Sequence, residues 1–228
     1  MKKIIALLLG MLLIVTPLAG CGKGNSKLLN FTTPKSGDQI AVISTSMGDI
    51  KVMFFGSVAP KAVENFVTHA KNGYYDNMIF HRVINGFMIQ SGDPQGTGYG
   101  GESIWGTPFK NEISSNARNF RGALAMANSG TSSSNGSQFY IIQAGTAGLN
   151  DSTLSRAAGQ SGMAMSDEVK AKYKQVGGAP WLDGGYTVFG HVISGMDVVD
   201  KIAAVKTGSG DKPIEDVTLK KITVSTVK

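Results

Sequence analysis

Apolar residues recur along this chain with two periods. Ile40-Ala41-Val42-Ile43 and Ile50-Lys51-Val52-Met53-Phe54 flank Met47-Gly48-Asp49. Two short apolar runs around a Gly-containing turn predict a β-hairpin. The period then changes. Val63, Phe66, Val67 and Ala70 fall at i, i+3, i+4 and i+7, the spacing of one helix face. Pro60 suits a first helical position, and Gly73 stands where such a helix should stop. Further strand-like runs cover residues 79–84, 87–90, 124–127, 138–143, 186–193 and 219–225, and a second helix covers 196–204. The tally is roughly eight short strands and two helices, joined by Gly-rich turns. That pattern suggests an antiparallel barrel or sandwich with helices over its open ends.

Two stretches interrupt the pattern. Residues 91–119 are long, rich in glycine and without clear period, and residues 144–180 lie between two strand signals. Within the second, Ser166 can cap a short helix, Asp167 and Glu168 suit its first turn, and Val169, Tyr173 and Val176 make one face before Gly177-Gly178. Loops of this length are usually functional or mobile.

The amino-terminal end has a different character. Lys2 and Lys3 precede an uncharged apolar run, 4–15, that is short for a membrane span. Leu18-Ala19-Gly20-Cys21 follows, and it resembles a bacterial lipobox, in which the cysteine is lipidated and becomes the first mature residue. The same residues also fit a plain secretory signal or a single-pass anchor. The position of the one cysteine in the chain favours the lipobox. Residues 21–38, rich in Gly, Asn, Ser, Thr, Pro and Lys, read as a lipidated N-terminus and flexible tether. The expected division is therefore 1–20 signal peptide, 21–38 tether and 39–228 a single domain carrying the 144–180 insertion. A diacylglyceryl group on Cys21 would supply the two acyl chains that firm anchoring needs. The expected location is the extracytoplasmic face of the cell membrane.

Composition narrows the chemistry. The 228 residues carry 22 Lys plus Arg and 16 Asp plus Glu, a formal charge of +6. Loss of Lys2 and Lys3 on processing leaves +4. No basic block interleaves with aromatics, so nucleic acid is not an expected partner. A single Cys excludes intrachain disulfides and Cys-rich zinc sites. His69, His81 and His191 lack metal-ligand spacing and read as structural. Gly136-Ser137 has no nucleophile elbow around it, and Gly96, Gly98, Gly100 and Gly101 lack the Lys-Ser/Thr of a phosphate loop. No metal and no cofactor is expected. What remains is Arg82. On a strand, Phe80, Arg82 and Ile84 would share a face, and an arginine on an apolar face needs a partner or a task. Gln90 on the next strand is a candidate partner; a rim salt bridge is the plain alternative.

The segment Phe80-His81-Arg82-Val83-Ile84-Asn85-Gly86-Phe87-Met88-Ile89-Gln90-Ser91-Gly92-Asp93 resembles the signature of the cyclophilin family of peptidyl-prolyl cis–trans isomerases. Gly98-Tyr99-Gly100-Gly101-Glu102-Ser103-Ile104, Met126-Ala127-Asn128, Asn135-Gly136-Ser137-Gln138-Phe139-Tyr140-Ile141, Trp181-Leu182-Asp183-Gly184 and Thr187-Val188-Phe189-Gly190 resemble further family blocks in family order. The resemblance implies a mainly β fold: a closed eight-stranded antiparallel barrel capped by two helices, with 144–180 inserted. It implies prolyl isomerase activity without cofactor. It assigns catalysis to Arg82, with Gln90 orienting it, and substrate binding to Phe87, Met88, Ala127, Asn128, Gln138, Tyr140, Trp181, Leu182 and Tyr186. Tyr140 stands where many members have Phe, and Tyr186 where many have His, which bears on substrate preference and on affinity for cyclosporin, a ligand the resemblance brings with it.

The expected partners are proline-containing polypeptides outside the cytoplasm, met by a monomer. Two other readings compete: a module that binds prolyl peptides or a host protein without turnover, and a two-lobed solute-binding lipoprotein. The single run of barrel blocks speaks against the last.

Overall fold

The hairpin forms where the pattern puts it. Strands β1 (Gln39–Thr45) and β2 (Gly48–Phe54) pair antiparallel, with Thr45 opposite Gly48. Thr45 Oγ1 donates to the Gly48 carbonyl at 2.7 Å and accepts the Met47 N–H at 3.0 Å, which fixes the two-residue turn. Helix α1 (Pro60–Lys71) buries Ala62, Val63, Phe66, Val67 and Ala70. Its N-cap, Ala59, has no side-chain acceptor. Glu112 supplies one from afar, accepting the Lys61 and Ala62 N–H groups at 3.1 and 2.9 Å. A carboxylate there both satisfies orphan donors and meets the positive end of the helix dipole.

The structure is a computed structural model and describes residues 27–228. Cys21, the expected signal peptide and the first part of the expected tether lie outside the described residues. The remaining strands are β3 (Met78–Ile79), β4 (Arg82–Ile84), β5 (Met88–Ser91), β6 (Ala123–Met126), β7 (Phe139–Ile142), β8 (Val188–Ser194) and β9 (Thr218–Thr226). The sheet order is β3-β9-β1-β2-β8-β6-β7-β5-β4, with every neighbouring pair antiparallel. Its two outer strands, β3 and β4, are consecutive in the chain and separated only by Phe80-His81. The sheet therefore curls until its edges meet, as a barrel must.

That junction corrects one expectation. The predicted strand over 79–84 is two strands that change partner, β3 pairing with β9 and β4 with β5. Phe80, at the break, is fully buried, whereas Arg82 is exposed, so the two do not share a face. The mainly β, helix-capped architecture stands, with nine strands in place of eight.

Helix α1 and helix α4 (Met196–Ala203) lay their apolar faces on one interior cluster. It includes Ile43, Val52, Phe66, Val83, Ile89, Leu124, Phe139, Ile141, Phe189, Val199 and Ile202. Each such side chain contributes about 1.5–3 kcal/mol by leaving water. Alternate residues of β5, β6 and β7 point the other way. Met88, Ala123, Ala125, Tyr140 and Ile142 belong to a second cluster on the outer face.

The insertion is more ordered than expected. Besides the predicted helix, here α3 (Asp167–Val176) with Ser166 capping Val169 N–H at 3.3 Å, it contains α2 (Asp151–Ser161). Asn150 and Thr153 cap α2 reciprocally. Leu154, Val169 and Tyr173 form a third cluster with Phe120 and Leu28.

Leu28 belongs to the expected tether, and its burial corrects that expectation for 27–38. Leu28 is 7% exposed and Asn30 4%. Asn30 donates to the Arg118 carbonyl at 3.0 Å and accepts the Arg118 N–H at 3.0 Å. Phe31 stacks obliquely on Phe120 with ring centroids 4.9 Å apart. The packed domain thus begins near residue 28, because the insertion offers this segment an apolar seat.

Candidate active site

The outer face of β4, β5, β7 and β6 carries a continuous row of side chains. Register sets Arg82 opposite Gln90, Gln90 opposite Tyr140 and Tyr140 opposite Ala125. Because side chains alternate across a strand, all four face the same way. The β4–β5 hairpin then places Phe87 beside them. Gly86, at φ +78°, makes the turn, and its N–H donates to Gln143 Oε1 at 2.8 Å. Gln143 and Ala144 N–H groups both donate to the Phe87 carbonyl, at 2.8 and 3.0 Å. Gln143 is itself held by Asp200 at 2.8 Å, which also takes two bonds from Arg121 at 2.7 and 2.6 Å.

A pocket of about 130 Å³ opens on this face, lined by Arg82, Phe87, Met88, Gln90, Ala127, Asn128, Tyr140, Leu182 and Tyr186. Nine of the eleven residues singled out as catalytic or substrate-binding thus meet in one place. Phe87, Met88, Leu182 and the tyrosine rings make its apolar side, alongside the polar groups of Arg82, Gln90 and Asn128, and the Tyr140 and Tyr186 rings meet nearly edge-on at 5.8 Å. Burial raises the Tyr140 phenol well above its ordinary value, so its hydroxyl stays protonated and donates to Asn119 Oδ1 at 2.9 Å.

The turn that brings Leu182 to the pocket is pinned from beneath. Asp183, 2% exposed, accepts from Arg118 Nη1 at 3.0 Å, Asn119 N–H at 2.9 Å, Asn119 Nδ2 at 3.1 Å and Tyr173 Oη at 2.9 Å. A buried ion pair is tolerable when the remaining lone pairs are also satisfied, as they are here. One network therefore joins the pocket floor at Tyr140, the turn at Asp183 and insertion helix α3 at Tyr173.

The other two residues sit at the pocket's margins. Trp181 packs on Phe87 with ring centroids 5.8 Å apart, and it also borders a cavity of about 280 Å³ shared with α2 residues Thr153, Arg156 and Ala157. Gln138 lies under the Gly-rich loop. Its Nε2 donates to the Gly98 and Gly100 carbonyls at 3.0 and 2.8 Å, and its Oε1 accepts from Gln90 at 2.8 Å.

That last bond corrects the role expected of Gln90. Its amide is hydrogen-bonded to Gln138, and no bond joins it to Arg82. Among the described residues, the side-chain partner of Arg82 is Asp211, whose Oδ2 lies 3.4 Å from Arg82 Nε. Asn128 is likewise committed: Nδ2 donates to the Gly185 carbonyl at 3.0 Å, and Oδ1 accepts the Gly130 N–H at 2.9 Å. Its own main-chain N–H and C=O carry no bond among the described residues, so they are the groups left to meet a peptide.

Asp93 closes the signature segment but was given no task from sequence. It is 1% exposed and gathers the loop around itself, accepting from the N–H groups of Gln95, Thr97, Gly98 and Gly100. Burial alone would raise its carboxyl, but these four donors outweigh that and hold it below the ordinary value. His81 is 5% exposed, and burial lowers its pKa, so it stays neutral beside Arg82. Among the described residues no cluster of three or more His, Cys, Asp or Glu could hold a metal.

The sequence profile of the cyclophilin type peptidyl-prolyl cis-trans isomerases matches residues 40–224. The chain belongs to the cyclophilin-type isomerase family. A provisionally named peptidyl-prolyl cis-trans isomerase of Staphylococcus saprophyticus is 50% identical over 193 residues, 84% of this chain and 95% of that protein. A relative of the same name from Staphylococcus aureus (strain USA300) is 49% identical over 190 residues, 83% of this chain and 93% of its own. Among solved structures, a cyclophilin type isomerase of Cryptosporidium parvum superposes with a TM-score of 0.67 at 34% identity, covering 84% of this chain and 99% of that one. The same protein crystallised in the presence of the dipeptide Ala-Pro gives a TM-score of 0.65, with 82% and 99% covered. This cyclophilin-type chain is thus an isomerase by family, and its pocket lies on the barrel's outer face.

Proposed function

We propose that this cyclophilin isomerises X–Pro bonds in exported polypeptides while held at the membrane by a lipid on Cys21. The observation that carries the catalytic part is the pocket itself: an apolar clamp with one guanidinium at its edge. An X–Pro amide crosses a barrier of about 18–20 kcal/mol. At the twisted transition state amide resonance is lost, and the prolyl nitrogen gains a lone pair that can accept a hydrogen bond. Arg82 is permanently charged and rich in donors, so it favours that state over the planar ones. Phe87, Met88, Tyr140 and Leu182 hold the proline ring while the acyl side turns. The free main-chain groups of Asn128 register the substrate backbone.

A charge-assisted bond gives roughly 1.5–3 kcal/mol, and a thousandfold acceleration needs about 4. Clamping must supply the rest. The crystallised relative with Ala-Pro is consistent with a prolyl ligand in such a pocket. An assay on a short X–Pro peptide tests the reading. Acceleration that is lost in Arg82→Ala is the expected result, whereas peptide binding without acceleration would leave only the binding-module alternative.

The anchoring part rests on the single cysteine behind an apolar run. Leu28 is already packed, so a lipid on Cys21 would be separated from the packed domain by residues 22–27 at most. Six extended residues reach about 20 Å, so the barrel would work close to the bilayer surface. Mass spectrometry of mature protein is expected to find acyl groups on Cys21; an unmodified terminus elsewhere would sink this part.

A further inference from the structure

We propose that Asp211 is the positioning residue for Arg82, a proposal that rests on the isomerase reading above. Arg82 sits on β4, at one margin of the sheet order, and its side chain is 45% exposed. A long side chain with that freedom samples many rotamers, and a donor that must meet a transient lone pair has to be aimed beforehand. Gln90, its cross-strand neighbour, is engaged with Gln138. The Asp211 carboxylate takes the Nε–H instead, at 3.4 Å. Gripping the guanidinium by Nε leaves the four N–H bonds of its two terminal nitrogens for the substrate.

The turn that presents Asp211 is closed and conformationally fixed. Asp211 is one of two described non-glycine residues with positive φ, at +60°, and it follows Gly210 at +69°. Left-handed backbone costs an ordinary side chain free energy and invites a functional explanation. The turn is closed by a bridge between Thr207 and Pro213 and by the Gly208 N–H donating to the Lys212 carbonyl at 2.8 Å. It lies between α4 and β9, far from Arg82 in sequence, and has no other evident task at the pocket.

Asp211→Ala, Asp211→Asn and Arg82→Ala, singly and with Asp211→Ala combined with Arg82→Ala, are assayed on a short X–Pro peptide across substrate concentration. An exposed ion pair limits the effect to about two- to fivefold. Asp211→Ala is expected to lower kcat/KM by that factor, through kcat, with KM and melting temperature unchanged. Asp211→Asn, which keeps an acceptor, is expected to lose less. In the Arg82→Ala background Asp211→Ala is expected to do nothing, and high salt should shrink the wild-type advantage over Asp211→Ala. An Asp211→Ala protein as fast as wild type or faster would overturn the proposal. So would an equal further loss on top of Arg82→Ala. Wild-type protein that does not accelerate the reaction would overturn the functional reading, and the proposal with it.

Discussion

Replacing Tyr140 by Phe removes one buried hydroxyl and keeps the ring that walls the pocket. The consequences can be worked from the network beneath. Tyr140 is 4% exposed and Asn119 is fully buried. The Tyr140 hydroxyl is the donor to Asn119 Oδ1, at 2.9 Å, while Asn119 Nδ2 and N–H are committed to Asp183. The variant therefore strands a buried amide oxygen, which costs about 1–3 kcal/mol. The gain from not burying the hydroxyl offsets part of this, leaving about 1–2 kcal/mol. For a domain of this size each kcal/mol lowers Tm by about 2–4 °C, so a fall of roughly 2–8 °C is expected by circular dichroism. Activity on a short X–Pro peptide should stay within about twofold, because the ring remains. A double-mutant cycle with Asn119→Ala should show coupling of about 0.5 kcal/mol or more. A Tyr140→Phe protein that melts at or above the wild-type temperature would refute the reasoning. In that case the Tyr140 hydroxyl would have no structural role.

Two further outcomes test the surroundings. Leu28→Ala should cost about 2 kcal/mol or more in urea unfolding and leave activity unchanged; no loss of stability would mean that the segment before β1 is a tether after all. Burial lowers the His191 pKa from 6.5 to about 4, in keeping with a neutral ring whose Nδ1 accepts from Asn30. Between those values the unfolded chain takes up a proton that the folded chain refuses. The contribution of His191 is therefore full above pH 6.5 and lost as pH falls toward 4, about 3 kcal/mol in all. His191→Gln should flatten the stability–pH curve in that window, and an unchanged curve would contradict the assignment.

Much of this was legible in the sequence, and the failures have physical causes. The β1–β2 hairpin, α1 and α3 were readable because their signals are local: alternating runs, an i, i+3, i+4, i+7 face, Ser166 as a cap. Helix α2 was not, because only Leu154 and Ala157 of its residues are buried. Its one clear mark was the Asn150–Thr153 capping pair. The break at Phe80-His81 was invisible because both residues are buried and nothing local says that the partner strand changes. Leu28 and Phe31 looked like strays in a polar stretch, since their seat on Phe120 and Tyr173 lies far along the chain. The pocket residues were found through the family resemblance, yet their hydrogen bonds were not. The sequence pattern points to Gln90 as the partner of Arg82, and only the fold reveals that Gln90 is taken by Gln138 while Asp211, 129 residues away, is the side chain that meets Arg82.

The central claim is that Arg82 stabilises the twisted state within an apolar clamp. The most direct measurement is kcat/KM of wild type and Arg82→Ala on one X–Pro peptide, with folding of both checked by melting temperature. Loss of a charge-assisted bond worth roughly 1.5–3 kcal/mol predicts a fall of roughly tenfold to about 150-fold, carried mainly by kcat. A folded Arg82→Ala protein as fast as wild type would contradict the account.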